Sequence, residues 1–505
     1  MNASRVVILQ PPSPPGLNVK RDLAGGFAVA NVTSRQGYGH DSSYPTMPHL
    51  SLLYLAALLE RDGHVVTFVD GAAEQRDEAG VQKRLKDARA EVIVFLVSLP
   101  SLYGDCALAK KLRSENPSAS FFGVGVVCRA LDEEVLERGA FDCVVRGDME
   151  VVVPRLLKNL ATASSDLEPG TSRLVEGKVQ RSQEIPRLTD LSSLPRPAYH
   201  LAPMDRYWYQ VFGEGRRYAT VQATKGCPYG CYYCPYPYGF GRQLLWRRPE
   251  DIVDEVQYLI EKFGCQAIYF RDQVFSLDKE RVTRLCEEII RRGLRFEWVV
   301  ETRLDCVDGP VLAAMKAAGC RRIHFGLETG DPAAFGRGGG KDGVTGGVEE
   351  LSARITLAER SGIAAHAFIL LGLLGESWST ISSTRALIER VRPTTLQVAI
   401  VTPYPGTELF RIADERGLLL TRDWSKYTGF DPVMRTEAMS SDELLHAQAM
   451  LVKAHRRAVR WRKARLAIAR GARYILDGSL PTRLRLRYGP RLRRVFRGHQ
   501  QTHHQ

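Results

Sequence analysis

No apolar run in this 505-residue chain approaches the roughly 20 residues needed to cross a bilayer, which argues against a membrane-spanning segment. The opening MNASRVVILQPP holds one basic residue and a short apolar stretch before a proline pair, so it reads as a first strand rather than a signal peptide. Cysteine offers no disulfide framework. Cys106, Cys128, Cys143, Cys265, Cys286, Cys306 and Cys320 are scattered without regular spacing, several in apolar stretches, as expected of reduced, buried thiols. The glycine-rich RGGGKDGVTGG (337–347) lacks phosphate-loop spacing, because no Gly-Lys-Ser/Thr follows its glycines, and reads as a flexible loop over a functional site. These absences set aside secreted, membrane-spanning and P-loop classes and point to a cytoplasmic protein of about three domains.

What is present is a trio of thiols in CPYGCYYC: Cys227, Cys231 and Cys234. A structural zinc site normally takes four ligands. No fourth Cys or His lies close in sequence, and Tyr229, Tyr232, Tyr233, Tyr236 and Tyr238 crowd the loop. The C-x₃-C-x₂-C spacing resembles that of the radical S-adenosylmethionine (SAM) enzymes. Thiolates are the usual ligands of iron-sulfur clusters. The resemblance implies that the three hold a four-iron four-sulfur (4Fe-4S) cluster with one iron left open. SAM would chelate that iron, take an electron and release methionine and a 5'-deoxyadenosyl radical. It also implies a reducing partner such as flavodoxin or ferredoxin.

Ahead of the trio, residues 5–160 alternate strands and helices. VVILQPP, VVTFVDG, EVIVFLV, SFFGVGV and FDCVVRG read as strands, and HLSLLYLAALLERDG has apolar residues at helical spacing. The pattern predicts an α/β, doubly wound, flavodoxin-like sheet, with any ligand at the carboxyl ends of its strands. The loops there hold Gln10 and Pro11, Ser98, Gly123 and Gly125, and Gly147 to Glu150.

YLAALLERDGHVVTFVD, the Gly123-Val-Gly125 turn and VVRGDMEVVVPRLL, in this order before the cysteines, resemble the cobalamin-binding domain of class B radical SAM enzymes. That resemblance makes Gln10, Pro11, Ser98, Gly123, Gly125, Gly147 and Glu150 candidates for cobalamin contact. The loop after the first strand has no Asp-x-His-x-x-Gly, and Asp62-Gly-His64-Val-Val-Thr67 precedes the second strand, so His64 reads as a turn residue. The expectation is cobalamin without a protein histidine on cobalt. Residues 13–47, which include RDLAGGF, are too long for a simple turn and are expected to cover the corrin, the barrel mouth or both.

A polar linker over 161–200 leads to a partial (β/α)₆ barrel over 201–420, whose active site is expected at the carboxyl ends of its strands. By resemblance, Asp272 after the second strand, Arg303 after the third, Glu328 in RRIHFGLETG, Gly372 after the fifth strand and Thr402 in TPYPGT are SAM-binding candidates. Arg303 suits the SAM carboxylate because a planar guanidinium meets a carboxylate bidentately.

The chain's positive charge is concentrated in one place. Of 70 Lys and Arg, 16 lie between Lys453 and Arg497, against the single acid Asp477. This region, 421–505, is expected to be basic and helical. It would form a solvated face that packs on the barrel, or contact an anionic lipid surface peripherally, an acidic protein such as an electron donor, or nucleic acid, the last being the least favoured partner.

The class B resemblance implies a cobalamin-dependent C-methyltransferase acting on an unactivated carbon of a lipid or natural-product intermediate. The alternatives are a class B enzyme that cyclises, rearranges or couples its substrate, and an RNA methylthiotransferase. The last should carry a second cysteine trio, whereas Cys106, Cys128 and Cys143 are dispersed.

Overall fold

The structure is a computed structural model that describes residues 3–32, 46–162, 166–213, 215–331 and 347–460. The 337–346 loop and the tail beyond 460 lie outside these residues. Residues 1–452 form one compact unit and Lys453 onward a second.

The first sheet comprises β1 (Arg5–Gln10), β2 (Val65–Asp70), β3 (Val92–Leu96), β4 (Ser120–Val124), β5 (Cys143–Val145), β6 (Thr171–Val175) and β7 (Lys178–Arg181). Its order is β2-β1-β3-β4-β5-β6-β7, with β1 to β5 parallel. The 2-1-3-4-5 core is the expected flavodoxin-like winding, with its topological switch between β1 and β3. Every residue of β3, VIVFL, is buried, because helices cover both faces of a parallel sheet. Strands β6 and β7 add an antiparallel hairpin that extends this sheet past the expected boundary at residue 160.

The second sheet is β8 (Tyr218–Val221), β9 (Ala267–Phe270), β10 (Glu297–Thr302), β11 (Cys320–Glu328), β12 (Ala364–Leu371) and β13 (Thr395–Ile400), all parallel and in sequence order. Helices pack on its outer side. In Lys279–Arg291 the buried Val282, Leu285, Cys286 and Ile289 recur at helical spacing, and the Asp278 carboxylate accepts from Arg281 N to start the helix. Along β12 burial alternates strictly. Ala365, Ala367, Ile369 and Leu371 are sealed under helices, while the inward residues between them stay half-exposed. The barrel interior is thus open, unlike the packed core of a closed eightfold barrel.

The segment before the barrel fastens the two sheets together. Ala198 N donates to Leu53 O (3.0 Å), and the buried Tyr199 hydroxyl donates to Thr220 O (2.8 Å) and Glu255 Oε1 (2.7 Å).

Candidate functional site

The long connection after β1 determines how the sheets meet. Its described part forms a hairpin, Leu17–Lys20 against Val29–Val32. Between these strands, Arg21 enters the crevice at the β1/β3 switch point. Its guanidinium donates to the part-buried Pro12 O (3.1 Å) and, fully buried, to Ser98 Oγ (3.0 Å) and Ser101 Oγ (3.1 Å), and makes a bidentate pair with the buried Asp105 (2.8 and 2.9 Å). The next residue, Asp22, points to the barrel. Its carbonyl accepts from Arg271 Nη2 (2.9 Å), and Arg271 directly follows β9. Two consecutive residues therefore touch the carboxyl ends of both sheets, so those ends face each other across residues 21–27. Further along, the Phe27 ring lies 5.9 Å from Tyr238 and 5.1 Å from Tyr404, between the cysteine loop and the end of the barrel.

The crevice candidates take different positions. Gln10 Oε1 accepts from His49 N (3.2 Å), Pro11 is buried, and Ser98 is fully buried against Arg21. Gly123 lies inside β4 against Phe141 and Val144. Gly125 has φ +120°, and a Cβ there would stand 2.5 Å from Val97 O, so only glycine fits this turn. Gly147 packs beside Val152 and Pro186. The Glu150 carboxylate forms a buried ion pair with Lys225 Nζ (2.9 Å), and its charge acts on His49. Burial opposes charge on Lys225, but Glu150 and Asp148 outweigh it and hold the ammonium above the ordinary lysine range. His64 accepts from Ser4 N (3.2 Å) ahead of β2, at the opposite edge of the sheet from the crevice. A histidine the sequence did not single out, His49, is buried by the crevice with Nε2 3.7 Å from Asp22 Oδ1.

The cysteine loop leaves the barrel through a short ribbon, Thr224–Lys225 antiparallel to Leu245–Trp246. Cys227 N donates to Gly241 O (3.1 Å) and Cys234 N to Cys231 O (3.0 Å), closing the loop on itself. Burial pushes the Cys227 and Cys234 thiols up, and each is raised further by neighbouring thiols of the trio. Among the described residues no three His, Cys, Asp or Glu side chains converge on a single metal ion. A 4Fe-4S cube is wider than an ion, so its thiolates stand further apart than the arms of about 2.3 Å around one zinc would set them. The mutually repelling thiols suit a cationic cluster that would draw off their charge.

Asp272 is placed otherwise than expected. It is buried beneath the ribbon, where Oδ1 accepts from Thr224 N and from Thr224 Oγ1 (2.8 Å), so it braces the stem of the cysteine loop. Burial pushes its carboxyl up to about 6. Arg303 is held by Asp305 through Nε (2.9 Å) and Nη2 (2.6 Å) and lies 3.8 Å over the Tyr229 ring, inside the cysteine loop. Glu328 ends β11 at φ +60° after a register shift, and its charge acts on Tyr233 and Cys234. Gly372 N donates to the buried Glu376 carboxylate (3.0 Å), and Thr402 is buried after β13. Glu328, Arg303 and the cysteines thus gather at one end of the barrel. Deeper inside, Glu301, His324 and His366 stand side by side on β10, β11 and β12.

Two family models match this chain: the B12 binding domain over residues 40–157 and the Radical SAM superfamily over 221–388. The chain belongs to the class B, cobalamin-binding radical SAM enzymes. Its cofactors are a 4Fe-4S cluster, SAM and cobalamin, and its substrate is a small molecule. It is 28% identical over 403 residues to an uncharacterized methyltransferase of Pyrococcus horikoshii, covering 79% of this chain and 85% of the relative. It is 26% identical to the hopanoid C-3 methylase of Methylococcus capsulatus, over 85% and 80% of the two chains. The anaerobic magnesium-protoporphyrin IX monomethyl ester cyclase of Cereibacter sphaeroides is 25% identical, over 79% of this chain and 65% of its own length. In fold, the chain resembles the radical SAM methyltransferase TsrM of Kitasatospora setae, with TM-score 0.66, 16% identity and coverage of 89% and 91%. The cobalamin-dependent radical SAM enzyme OxsB matches with TM-score 0.66 and 16% identity, over 80% of this chain and 63% of its own.

Sequence reasoning missed Arg129, Arg187 and Lys225, and it held Arg21, Asp22 and Asp148 only as members of RDLAGGF and of the Gly147-to-Glu150 loop, without roles. All but Lys225 were legible as charged residues in loops or at helix starts, but none lies near its partner in sequence. No described helix is long and apolar enough to cross a membrane.

Proposed function

We propose that this protein is a cobalamin-dependent radical SAM methyltransferase that places a methyl group on an unactivated carbon of a lipid or natural-product intermediate. The observation that carries the reading is the facing of the two carboxyl edges across residues 21–27, with the cysteine loop lodged at the junction. When bound, SAM and the cluster supply a hydrogen-abstracting adenosyl radical, and cobalamin supplies a transferable methyl group.

The chain's own part is to hold and orient. In this reading Cys227, Cys231 and Cys234 hold the cluster, and Glu328 serves the SAM amino or ribose groups. Arg303, steadied by Asp305 and Tyr229, serves the SAM carboxylate. Asp272 acts on the loop stem rather than on SAM. Gly125 lets backbone approach the corrin, and Ser98 and Gln10 shape the crevice through Arg21 and His49. Placement of this kind contributes much of the rate when reactants must be aligned in a closed cavity. The half-exposed inner face of β12 leaves room for the substrate within the barrel.

Anaerobic turnover with reductant and methyl-labelled SAM tests the proposal by product balance. Methyl transfer predicts S-adenosylhomocysteine and 5'-deoxyadenosine together, with label on the product carbon. The second reading, cyclisation or rearrangement without methyl transfer, is favoured by similarity to the protoporphyrin cyclases and predicts 5'-deoxyadenosine alone. A flavodoxin or ferredoxin reductant and peripheral lipid contact through the basic tail complete the proposal. Truncation after Leu451 is expected to abolish binding to anionic liposomes, and unchanged binding would reduce the tail to a packing element.

A further inference from the structure

Both stems of the cysteine loop are gripped by residues from outside the barrel. On the entering side, Lys225 stands two residues before Cys227 and pairs with Glu150 at the start of helix Met149–Thr162. On the leaving side, the five-residue helix Tyr236–Phe240 begins two residues after Cys234. Two guanidiniums converge on its last carbonyls. Arg129 Nη1 donates to Tyr238 O (2.7 Å) and Gly239 O (3.3 Å), and Arg187 donates through Nη2 to Tyr238 O (2.9 Å) and through Nη1 to Gly239 O (2.8 Å).

Asp148 ties the two arginines together, at 3.1 Å from Arg187 and 3.5 Å from Arg129. Arg129 is also anchored within the first domain, where Nε donates to Arg146 O (2.5 Å). Arg129 and Asp148 are each less than a tenth exposed. Arg187 is about a third exposed, and two guanidiniums on one buried carboxylate are stable when their donors are satisfied; here four hydrogen bonds end on two peptide carbonyls. The loop cannot slide away from this grip. A Cβ on Gly239 would run into Gly25 O, and Gly241 O already accepts from Cys227 N.

Arg129 lies four residues after Gly125, on the short helix Val127–Ala130 that follows the crevice turn. We infer that Arg129, Arg187 and Asp148 form a positioning clamp through which the corrin-binding domain fixes the cysteine loop, and so sets the separation of corrin and cluster. The clamp acts through the backbone at Tyr238 and Gly239. Arginine is suited to this because its rigid fork spans adjacent carbonyls, whereas a lysine ammonium behaves as a compact point charge. The inference rests on the two cofactors meeting at this junction and not on methyl transfer.

The test uses full-length protein loaded anaerobically with cob(II)alamin and a reduced cluster, and reads their separation by pulsed electron paramagnetic resonance. Wild type is expected to give one narrow distance distribution. Arg129→Met with Arg187→Met should widen it by about 1 Å or more while iron and cobalt contents hold, the looseness expected of a site whose support is removed. Arg187→Met alone leaves the buried Arg129–Asp148 pair in place and should give an intermediate width. It is the deciding variant if the double change costs either cofactor. Arg187→Lys should stay widened. A wild-type distribution in Arg187→Met, or its restoration by Arg187→Lys, would overturn the clamp.

Discussion

The two sheets of this enzyme are built alike, from parallel strands under helices, yet they offer ligands different surfaces. In the first sheet the central strand β3 is buried on both faces, so only its carboxyl edge can receive a ligand, and that edge is shaped by Gly125, Ser98 and the Arg21–Asp105 pair. In the second sheet β12 is sealed outside and half-exposed inside, so the barrel holds ligands at its edge and in its lumen. The lumen carries charge: burial opposes ionisation of Glu301, but the Arg271 guanidinium (3.4 Å) and the Tyr269 hydroxyl hold its carboxyl below the ordinary glutamate range. One domain thus presents a cofactor at a surface, while the other encloses a reaction. The residues between them, 21–27 and the Arg129–Arg187 pair, decide whether the two act as one site.

The largest expected effects would divide the two halves cleanly. Replacing Cys227, Cys231 and Cys234 by Ala should remove iron-sulfur absorption and all 5'-deoxyadenosine formation while corrinoid is retained. Loss of corrinoid along with iron would show that the edges do not load independently. Gly125→Val should do the reverse. It forces a branched side chain to φ +120° against Val97 O, a strain of about 1–3 kcal/mol, and is expected to lower cobalamin retention while iron content stays unchanged. Equal loss of both cofactors would blur the comparison.

A smaller effect concerns the stem of the cysteine loop. The Asp272 carboxyl is raised by burial from an ordinary 3.8 to about 6, so the folded state binds its proton more tightly than the unfolded chain. Its contribution is fully present below pH 4 and is lost as pH rises through 6, a change of about 3 kcal/mol. Asp272→Asn keeps an oxygen for Thr224 and should flatten that part of the stability-pH curve measured by denaturant unfolding. Asp70, also raised to about 6 by burial, leaves a residual slope. An unchanged slope would mean that Asp272 is ionised in the folded protein.

The smallest effect is spectroscopic. Cob(II)alamin in the protein should show no nitrogen splitting from a protein ligand, as the missing Asp-x-His-x-x-Gly implies. A nitrogen triplet lost in His49→Phe would instead assign the lower face of cobalt to the histidine beside Gln10.

Much of this was legible in sequence, and what was not has a common cause. Periodicity located all five parallel strands of the first sheet, and the cysteine spacing marked the loop, because both signals are local. The hairpin Thr171–Arg181 reads as a polar linker, since only its first residues, Thr171 and Ser172, are fully covered and the rest is half-buried or exposed edge. Asp272 matched a family position but bonds Thr224, a partner 48 residues away. Arg129 reaches carbonyls 109 and 110 residues later, and backbone acceptors leave no mark in sequence. Arg21 and Asp22 were visible within RDLAGGF, but only the folded chain reveals that one turns to each sheet.

The central claim is that corrin and cluster share one site between facing strand ends. The most direct measurement is the spin relaxation of the reduced cluster in wild-type protein, with and without cob(II)alamin in the first domain. The account predicts faster relaxation of the cluster signal when cob(II)alamin is bound. Identical relaxation in the two samples, with iron full in both and cobalt full in the loaded one, would contradict it.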